Sequence, residues 1–555
     1  MRKISILLAG ALAIAACSRS GANTPDPDPP PTPVNFDLSY WTVDEKPALT
    51  NYFDVPRQPS IKLKLPAKID KASAGAAVTL TKDQGGTIPL NLTYEQGDSV
   101  LVVLPSQSLD YYTRYYLEVA SSLKSSNGGR LQTPLQLRLI TSLDSTDKFP
   151  RITDEQLLTK VQEQTFRYFW DFAHPVSGLT RERNTSGDIV TSGGSGFGVM
   201  AIVTAIHRNF ISKADGLARM QKILGFLKTA EKVHGAFPHW LNGATGKIVP
   251  FSTKDNGADL VETAYLVQGL LTARQFFDKP DASETALRAD INAIWEGVEW
   301  NWFRKDNEQK LYWHYSPDLA WDMNMPIQGW NECLITYVLA AGSPGHNIPK
   351  SVYDQGWARN GDMRNNNNYY GVSLPLGPAM GGPLFFSHYS FLGLDPRGLK
   401  DAYADYGQQV TNHSLIHYQH AIANPQHHFG YSRQCWGLTA SDIPGGYAAS
   451  SPTNDLGVIA PTAALSSFPY TPTESMQALK FYYYVLGDKL FRDYGFADAF
   501  SLKEKWFADS FLAIDQGPII LMIENYRSGL LWDLFMSCPE VRSGLQTLGF
   551  THPHI

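Results

Sequence analysis

Cysteine is scarce in this sequence, and its charge is nearly balanced. Four of the 555 residues are cysteine, and no Cys-x-x-Cys or zinc-finger spacing occurs, which argues against a structural metal site or a dithiol redox centre. The 47 Lys and Arg residues stand against 53 Asp and Glu, a net charge of −6, so the chain lacks the basic surface typical of nucleic-acid binding. Because P-loop and dinucleotide-binding motifs are also missing, we expect no metal, no cofactor and no nucleic-acid partner.

Long apolar runs are also rare, and the main one stands at the N terminus. Arg2 and Lys3 precede an apolar stretch at residues 4–16, which ends in Ala-Ala before Cys17. Such a stretch is too short to cross a bilayer as a stable helix. It resembles a bacterial lipoprotein signal that is cleaved after residue 16 and leaves Cys17 to carry the lipid; an ordinary secretory signal is the alternative. We expect a monomer in the cell envelope, attached to the membrane by its lipid alone.

The rest of the chain falls into three segments. Residues 17–35 are rich in proline and predict an extended tether. Residues 36–146 alternate apolar and polar side chains in short runs between Gly, Asn, Asp and Ser clusters, the pattern of a small β-sandwich. Its last hairpin resembles that of bacterial immunoglobulin-like domains and could belong to a carbohydrate-binding module or to a spacer. From residue 150 to 555 the apolar spacing becomes helical, so we predict a mainly α protein with an all-β domain in front.

The helical segment predicts helical hairpins arranged as a closed toroid or an open solenoid. No repeat of fixed length is visible, which argues against a regular solenoid. The remaining three cysteines, an odd number, predict buried thiols: Cys333, Cys435 and Cys538. The predicted helices are residues 156–172, 196–209, 215–232, 259–277, 284–303, 326–341, 400–423, 474–486, 503–511 and 516–535.

Three carboxylates open one of these helices. Spacings of four and three residues place Asp255, Asp259 and Glu262 on one side of its first turns. Like charges so close together can raise one another's pKa and serve catalysis. Alternatively, Asp255 caps the helix and the other two complement its positive end, and spacing alone does not choose. The apolar run at residues 264–271 predicts a buried helix whose carboxylates point into a cavity.

Glu332 is the only charged residue between positions 325 and 341. A buried carboxyl without a partner takes up a proton or finds a cation, and a carboxyl that stays neutral near pH 7 can act as a general acid. A structural pair with an arginine is the alternative. The same argument applies to Glu524, but Arg527 three residues later predicts a structural pair there.

Two further motifs carry weaker signals. His413, His417 and His420 recur at helical spacing, as zinc ligands can, but no acidic or cysteine companion is near, so a polar helix face or sugar contacts are favoured. Ser195 lies in Gly-Gly-Ser-Gly-Phe-Gly, which is not the Gly-x-Ser-x-Gly of a serine hydrolase. A turn entering a helix at Gly198 is the expected role of that segment.

A series of blocks runs in order through the helical segment. They are GLTRER at 178–183, GFGVMAI at 196–202, GAFPHWLNGATG at 235–246, the carboxylates of 255–262, PLFFSHYS at 383–390, CWGLTASD at 435–442, DLGVIAP at 455–461, IDQGP at 514–518 and IEN at 523–525. Together they resemble the bacterial glucoamylase-like domain of glycoside hydrolase family 144.

This resemblance implies an (α/α)6 toroid whose central cleft hydrolyses β-1,2-glucan with inversion, either internally or by releasing sophorose from an end. It makes Glu332 the leading candidate for the general acid, and it makes Asp255, Asp259 and Glu262 the other cleft carboxylates, of which the two aspartates are candidates for the base. The matching blocks also supply candidate sugar contacts: Arg183, Trp240, His388, Trp436, Asp442 and Asp455. At Trp240 the block departs from the family pattern, which leaves the local role open.

Two rival functions stay open on the residues alone. One is a non-catalytic glycan-binding lipoprotein of a nutrient-uptake system, and the other is a hydrolase of another glucan linkage. A binding protein has no use for an acid poised near neutrality, so Glu332 and the carboxylate cluster favour an enzyme. Linkage, and the choice between internal and terminal cutting, depend on the shape of the cleft.

Overall fold

The computed structural model describes residues 32–555, which divide into two compact units between Leu143 and Asp144. The predicted signal peptide of residues 1–16, the lipidation site Cys17 and most of the tether lie outside the described residues. None of the helices in residues 32–555 is both long enough and apolar enough to span a bilayer.

The first unit is a sandwich of two β-sheets. One sheet has the strand order β1-β3-β7-β6 and the other β2-β9-β8-β4-β5, with β2 parallel to β9. Alternate side chains such as Leu63, Val103, Leu117 and Leu139 are fully buried between the sheets, as the period of two predicts. The elements are β1 Tyr40–Val43, β2 Asn51–Val55, β3 Ile61–Lys64, α1 Lys71–Ala77, β4 Val78–Lys82, β5 Thr87–Ile88, β6 Leu90–Glu95, β7 Val100–Pro105, β8 Arg114–Val119 and β9 Leu135–Thr141.

The second unit is mainly helical. Its helices are α2 Asp154–Trp170, α3 Ser192–His207, α4 Lys213–Thr229, α5 Leu260–Phe276, α6 Ala282–Glu296, α7 Leu334–Gly342, α8 Lys350–Val352, α9 Tyr406–Ala423, α10 Pro461–Leu465, α11 Pro472–Lys480, α12 Gly487–Leu490, α13 Ala513–Arg527, α14 Leu530–Met536 and α15 Pro539–Leu548.

Short strands, most of them paired as hairpins, join these helices. They are β10 Ile189–Thr191, β11 Trp240–Asn242, β12 Ile248–Val249, β13 Ala258–Asp259, β14 Leu311–Tyr312, β15 His314–Tyr315, β16 Pro326–Ile327, β17 Arg364–Tyr369, β18 Val372–Leu376, β19 Ala440–Ile443, β20 Gly446–Ala449, β21 Phe491–Arg492, β22 Gly495–Phe496, β23 Phe500–Ser501 and β24 Trp506–Phe507.

Three helices, α3, α5 and α13, form an inner layer. α3 and most of α5 and α13 are buried, whereas α2, α4, α6 and α15 bury one face only. α3 packs against both α5 and α13. The close approach of α3 and α5 requires Gly196 and Gly269, because a Cβ on either one would collide with the backbone of the other helix. This inner and outer layering is the α/α architecture predicted from the sequence.

Several predicted helix boundaries are wrong, each for a local reason. Residues 503–511 form no helix, because β23 and β24 pair there as a hairpin. The helix predicted from residue 400 begins at Tyr406, where the Asp405 side chain caps the backbone N–H of Gln408. Ser195 lies inside α3 and not in a turn before it. The three cysteines of the helical unit are free and buried, as predicted.

Candidate active site

Asp255, Asp259 and Glu262 meet at the N terminus of α5, but not in the predicted way. The helix begins at Leu260, and the Asp259 side chain is its N-cap, accepting hydrogen bonds from the backbone N–H groups of Val261 and Glu262 at 3.0 and 2.9 Å. Asp255 therefore lies in the preceding loop and does not cap the helix. All three side chains are nonetheless buried together, as the apolar run after them predicted.

Two histidines from other loops hold the aspartates. His239 Nδ1 lies 3.1 Å from Asp259 Oδ2 and 3.8 Å from Asp255 Oδ2. His314 Nε2 approaches the same two oxygens at 3.5 and 3.3 Å. The antiparallel pairing of β13 with β15 sets His314 directly opposite Asp259. Neither histidine was predicted from the sequence.

These histidines carry protons at neutral pH. Burial alone favours the neutral ring, but the surrounding carboxylates raise the pKa of His239 and that of His314 to about 9. Burial likewise works against the charge of Asp259, yet the hydrogen bonds from both histidines lower its pKa. Within residues 32–555, His239, Asp255 and Asp259 are the group whose spacing could hold a metal ion, but the protonated rings already neutralise the two aspartates.

Glu262 faces the N terminus of α3. Its Oε2 accepts hydrogen bonds from Thr191 Oγ1 at 3.0 Å and from the backbone N–H of Gly193 at 2.7 Å. Burial, together with the charge of Asp259, raises the pKa of Glu262. It is thus a carboxyl fixed in position between α5 and the N terminus of α3.

Glu332 stands just before α7, where its backbone is fixed from two sides. Its carbonyl oxygen accepts hydrogen bonds from the hydroxyls of Tyr265 and Ser390. No cation of residues 32–555 lies within ion-pair distance of its carboxylate. Burial, with the charges of Asp259 and Glu262, raises the pKa of Glu332 to about 7. A partly exposed carboxyl that holds its proton near neutrality is suited to general acid chemistry.

A cavity of about 510 Å³ opens beside this cluster, and we call it the His239 cavity. Phe251, 49% exposed, stacks on His239 with ring centroids 4.2 Å apart and meets Trp240 edge-on at 4.8 Å. This aromatic wall suits the flat faces of a sugar. The residues that line the cavity include Thr191, His239, Trp240, Phe251, Tyr447 and Ile514.

A second cavity of about 600 Å³ shares Arg183 and Tyr447 with the first. We call it the Trp506 cavity, after a ring in its wall. Arg183 is anchored there by Glu182 at 3.1 Å and by Asp442 at 3.2 Å, and Ser510 Oγ also donates to Asp442. Of the predicted sugar contacts, Arg183, Trp240 and Asp442 thus line the cavities.

Trp436, His388 and Asp455 do not reach either cavity, which corrects their assignment as sugar contacts. Trp436 is fully buried, and its indole N–H donates to the carbonyl of Glu474. His388 is 2% exposed. Asp455 is held by His420 at 2.9 Å and by the Tyr431 hydroxyl at 2.7 Å. All three stabilise the fold.

A buried carboxyl pair lies behind Tyr447. Asp498 accepts a hydrogen bond from the backbone N–H of Asp442 at 2.6 Å, and burial raises its pKa to about 7. Burial and the neighbouring Asp498 charge raise the pKa of Asp515 well above its usual range. The two carboxyls are hydrogen-bonded to each other, and within residues 32–555 Oδ2 of Asp515 has no other hydrogen-bond partner.

His413 and His417 of α9 form a neutral cluster with His388, whereas His420 pairs with Asp455. His413 Nε2 and His417 Nε2 lie 3.0 and 2.9 Å from the carbonyl oxygen of Gly382. Burial lowers the pKa of His413 to about 4 and that of His388 beside it to about 3. Since a backbone carbonyl and not a carboxylate faces the rings, the cluster is a structural network within the fold.

The residues that sequence analysis missed come from separate helices, strands and loops. His239 and Asp515 stand inside blocks that were recognised, at Pro-His-Trp and Ile-Asp-Gln, and their position in those blocks was the available signal. His314, Tyr447 and Phe251 lie outside those blocks, and only folding brings them to the cleft.

Comparisons with known proteins identify the family of the chain. Residues 324–539 match the Glycoamylase family model, residues 47–141 match a bacterial Ig-like domain, and residues 160–264 match a family of unknown function. Over 420 residues the chain is 47% identical to the exo beta-1,2-glucooligosaccharide sophorohydrolase (non-reducing end) of Parabacteroides distasonis, covering 72% of this chain and 58% of that protein. The chain thus spans less than two thirds of that curated relative.

Two solved structures are similar over more of their length. The endo-beta-1,2-glucanase from Chitinophaga pinensis, solved with sophorotriose and glucose, is 53% identical with a TM-score of 0.72, and the match covers 73% of this chain and 100% of that one. A beta-1,2-glucanase from Parabacteroides distasonis is 37% identical with a TM-score of 0.71, and the match covers 93% and 73%.

Proposed function

The chain belongs to the glucoamylase-like glycoside hydrolases of family 144, and from that premise we propose that it hydrolyses β-1,2-glucan, with Glu332 as the general acid. One observation carries the proposal. The Glu332 carboxyl lies beside Asp259 and Glu262 without a cation, and its pKa of about 7 keeps it protonated at neutral pH. A carboxyl that keeps its proton at neutral pH is suited to act as a proton donor.

The acid acts on the oxygen of the bond that breaks. Glu332 donates its proton to the leaving glycosidic oxygen as the bond to the anomeric carbon lengthens, so the departing sugar leaves as a neutral alcohol. The negative charges of Asp259 and Glu262 help to keep Glu332 protonated, and the two histidines balance the charge of Asp259. Phe251 and Trp240 hold a sugar ring against the wall of the His239 cavity. No cofactor is needed for these steps.

The base of an inverting mechanism must be a different carboxylate. Asp259, the earlier candidate, is fully buried, and both of its oxygens are bound by histidines or backbone N–H groups. Asp255 faces the same histidines. We assign the base to Asp515, which is hydrogen-bonded to Asp498 in a buried carboxyl pair. The two carboxyls share one proton, so the pair keeps one negative charge that can activate water.

Three further features belong to the proposal. The helix hairpins of the second unit complete an (α/α)6 toroid. The chain then has two domains, the Ig-like sandwich of residues 36–146 and the toroid of residues 150–555. Cleavage after residue 16 and lipidation of Cys17 tether a monomer in the cell envelope through residues 17–35. Labelling cells with a fatty-acid probe tests the anchor, because the protein takes up the label and the Cys17→Ser variant does not.

Product analysis tests the function. The protein and its Glu332→Gln variant are incubated with linear β-1,2-glucan and, in parallel, with β-1,3-, β-1,4- and α-1,4-glucans. We expect sophorose or longer β-1,2-oligosaccharides from the first substrate alone, and only from the unaltered protein. Activity on α-1,4-glucan would overturn the linkage. Inactivity on all four substrates, with glycan binding intact, would favour an uptake protein.

Following the anomer that forms first tests inversion and the base. NMR of early products is expected to show the α-anomer, opposite to the β-linked substrate. Asp515→Asn is expected to lower kcat at least as much as Asp498→Asn, because Asp515 is the carboxyl that we assign as the base. Equal, mild effects of both variants would remove Asp515 from the mechanism.

A further inference from the structure

The carboxyl of Glu332 is held in place through its backbone. Within residues 32–555, no other residue makes a hydrogen bond to its carboxyl oxygens, so both stay available to a glycosidic oxygen. A general acid works only within hydrogen-bond reach of the leaving oxygen. Because the side chain has no partner to fix it, the turn before α7 determines where the proton is delivered.

α7 does not cap its own N terminus. Its N-cap residue, Cys333, makes no side-chain hydrogen bond to the helix, and a thiol is a weaker acceptor than the oxygens of the usual N-cap residues. Ser390, 55 residues beyond Ile335, supplies the missing acceptor, because its Oγ accepts a hydrogen bond from the backbone N–H of Ile335 at 3.0 Å. The same Oγ donates to the carbonyl oxygen of Glu332. One fully buried hydroxyl thus binds the turn that carries the acid at two points.

The main chain around Ser390 is itself tied to the helices that carry other carboxyls of the site. The buried Gln268 of α5 binds it at two points, over 3.2 and 3.1 Å. The buried Asn525 of α13 donates to a third point at 3.0 Å. α5 also carries Glu262, and α13 also carries Asp515. Ser390 therefore connects the turn before α7 to both of these helices.

We propose that Ser390 is a positioning residue, which fixes Glu332 relative to the other carboxyls of the site. Inversion needs an acid and a base about 6.5–9.5 Å apart, and a misplacement of about 1 Å can cost about 10²-fold in rate. Ser390 is fully buried and lines neither cavity, so it acts through Glu332 and not on the sugar. The inference rests on the proposed function, since it takes Glu332 as the acid.

Kinetics on two substrates test the proposal. The unaltered protein and Ser390→Ala are compared on β-1,2-glucan and on β-sophorosyl fluoride, whose fluoride ion leaves without a proton. On the glucan, Ser390→Ala is expected to lower kcat about 10²-fold with KM within a few-fold of the original. On the fluoride, its rate is expected to stay within a few-fold of the unaltered protein, because no acid is needed there.

Two further variants complete the comparison. Ser475→Ala is the matched control and is expected to change neither rate, because Ser475 is also fully buried and its hydroxyl pairs with Thr471 in the part of the chain that the structure describes. Tyr265→Phe removes the second hydroxyl that donates to the Glu332 carbonyl, at 3.3 Å. It is expected to show the same pattern with a smaller loss, about tenfold on the glucan, and it provides the test if Ser390→Ala does not fold.

Two kinetic results would overturn the positioning role. Equal losses on both substrates would make Ser390 a structural residue only, and an unchanged kcat on the glucan would remove it from the mechanism. Hydrogen exchange at the Ile335 amide needs no substrate, so it separates this failure from failure of the proposed function. If the unaltered protein cleaves no β-1,2-glucan, the function fails. Faster exchange in Ser390→Ala than in Ser475→Ala would still support the hold of Ser390 on this turn, and equal exchange would overturn it.

Discussion

Glu332 and Glu524 are two glutamates in apolar sequence segments, but their pKa values are shifted in opposite directions. Glu524 is fully buried and is gripped by Arg208 through two hydrogen bonds of 2.7 and 2.9 Å, with Gln162 and Ser528 adding two more. Burial works against its charge, but these partners lower its pKa.

Glu332 has no such partner, and its neighbours are acidic. Burial and two carboxylates raise its pKa to about 7. The comparison teaches that apolar surroundings alone do not identify a catalytic acid. What separates the two is whether the fold supplies a cation, because a paired carboxyl stays charged and inert, whereas an unpaired one holds a proton it can give away.

The largest effect is expected from Glu332→Gln, which keeps the shape and removes the proton. The kcat on β-1,2-glucan is expected to fall by about 10³-fold, the usual contribution of a general acid. The melting temperature is expected to change little, because the amide keeps the shape of the side chain and the carboxyl has no ion-pair partner to lose. If Glu332→Gln loses both its activity and its folded structure, Glu332 is a structural residue like Glu524, and the contrast between them fails.

Glu524→Gln is expected to do the reverse. It leaves the Arg208 guanidinium without a counter-charge, which destabilises a protein by about 3 kcal/mol when a buried pair is broken. Denaturant unfolding measures the loss, and kcat at 25 °C is expected to stay within a few-fold of the original. If stability is unchanged while kcat collapses, Glu524 and not Glu332 belongs to the chemistry.

The pH dependence of activity sharpens the comparison. Glu332 must be protonated to act, so kcat is expected to fall about tenfold per pH unit above a pKa near 7. The residual activity of Glu332→Gln is expected to lack this limb. The pH–rate profiles of the two proteins, recorded on one substrate, provide the measurement. A limb that survives in the variant would assign the titration to another group.

Stability is expected to depend on pH through the two histidine clusters. His388 and His413 have pKa values lowered to about 3 and 4, so the unfolded chain binds more protons below pH 6.5 and stability falls as the pH drops from there. His239 and His314 have pKa values raised to about 9, so their contribution to stability is complete below about pH 6.5 and is lost progressively as the pH rises from there to 9. Melting temperatures should therefore peak near pH 6.5 and fall on either side. A maximum near pH 5 would contradict these assignments.

The smallest effect is expected at Arg527, which the sequence predicted to pair with Glu524. Arg527 contacts Glu155, Thr159 and Gln162 and not Glu524. Arg527→Gln is thus expected to cost about 1 kcal/mol, less than Arg208→Gln, because the partner carboxylate, Glu155, is exposed and no buried carboxylate is left alone. Unfolding of the two variants in the same denaturant series compares them. Equal losses would contradict the observed pairing.

The burial of each glutamate could be predicted from the sequence, but the residues that contact it could not. Apolar periodicity indicated that α5, α7 and α13 are buried, and this was confirmed. Periodicity shows which face of a helix is buried but not what packs there. Arg208 lies 316 residues from Glu524 along the chain, and His314 meets Asp259 only through the pairing of two short strands.

The predicted sugar contacts divide for a related reason. Arg183 and Trp240 line cavities, whereas Trp436 is core. A tryptophan in a loop can be buried in the core or can stack on a sugar, and the sequence around it does not show which. Residue spacing also did not show that Asp259 is the N-cap. On spacing alone, the helix could begin after either Asp255 or Asp259.

One measurement tests the role of Glu332 most directly. Fluoride leaves a sugar without needing a proton, so a glycosyl fluoride bypasses the general acid. Glu332→Gln is expected to hydrolyse β-sophorosyl fluoride at a rate within about tenfold of the unaltered protein while its rate on β-1,2-glucan stays about 10³-fold lower. Equal losses on both substrates would contradict the assignment of Glu332 as the proton donor.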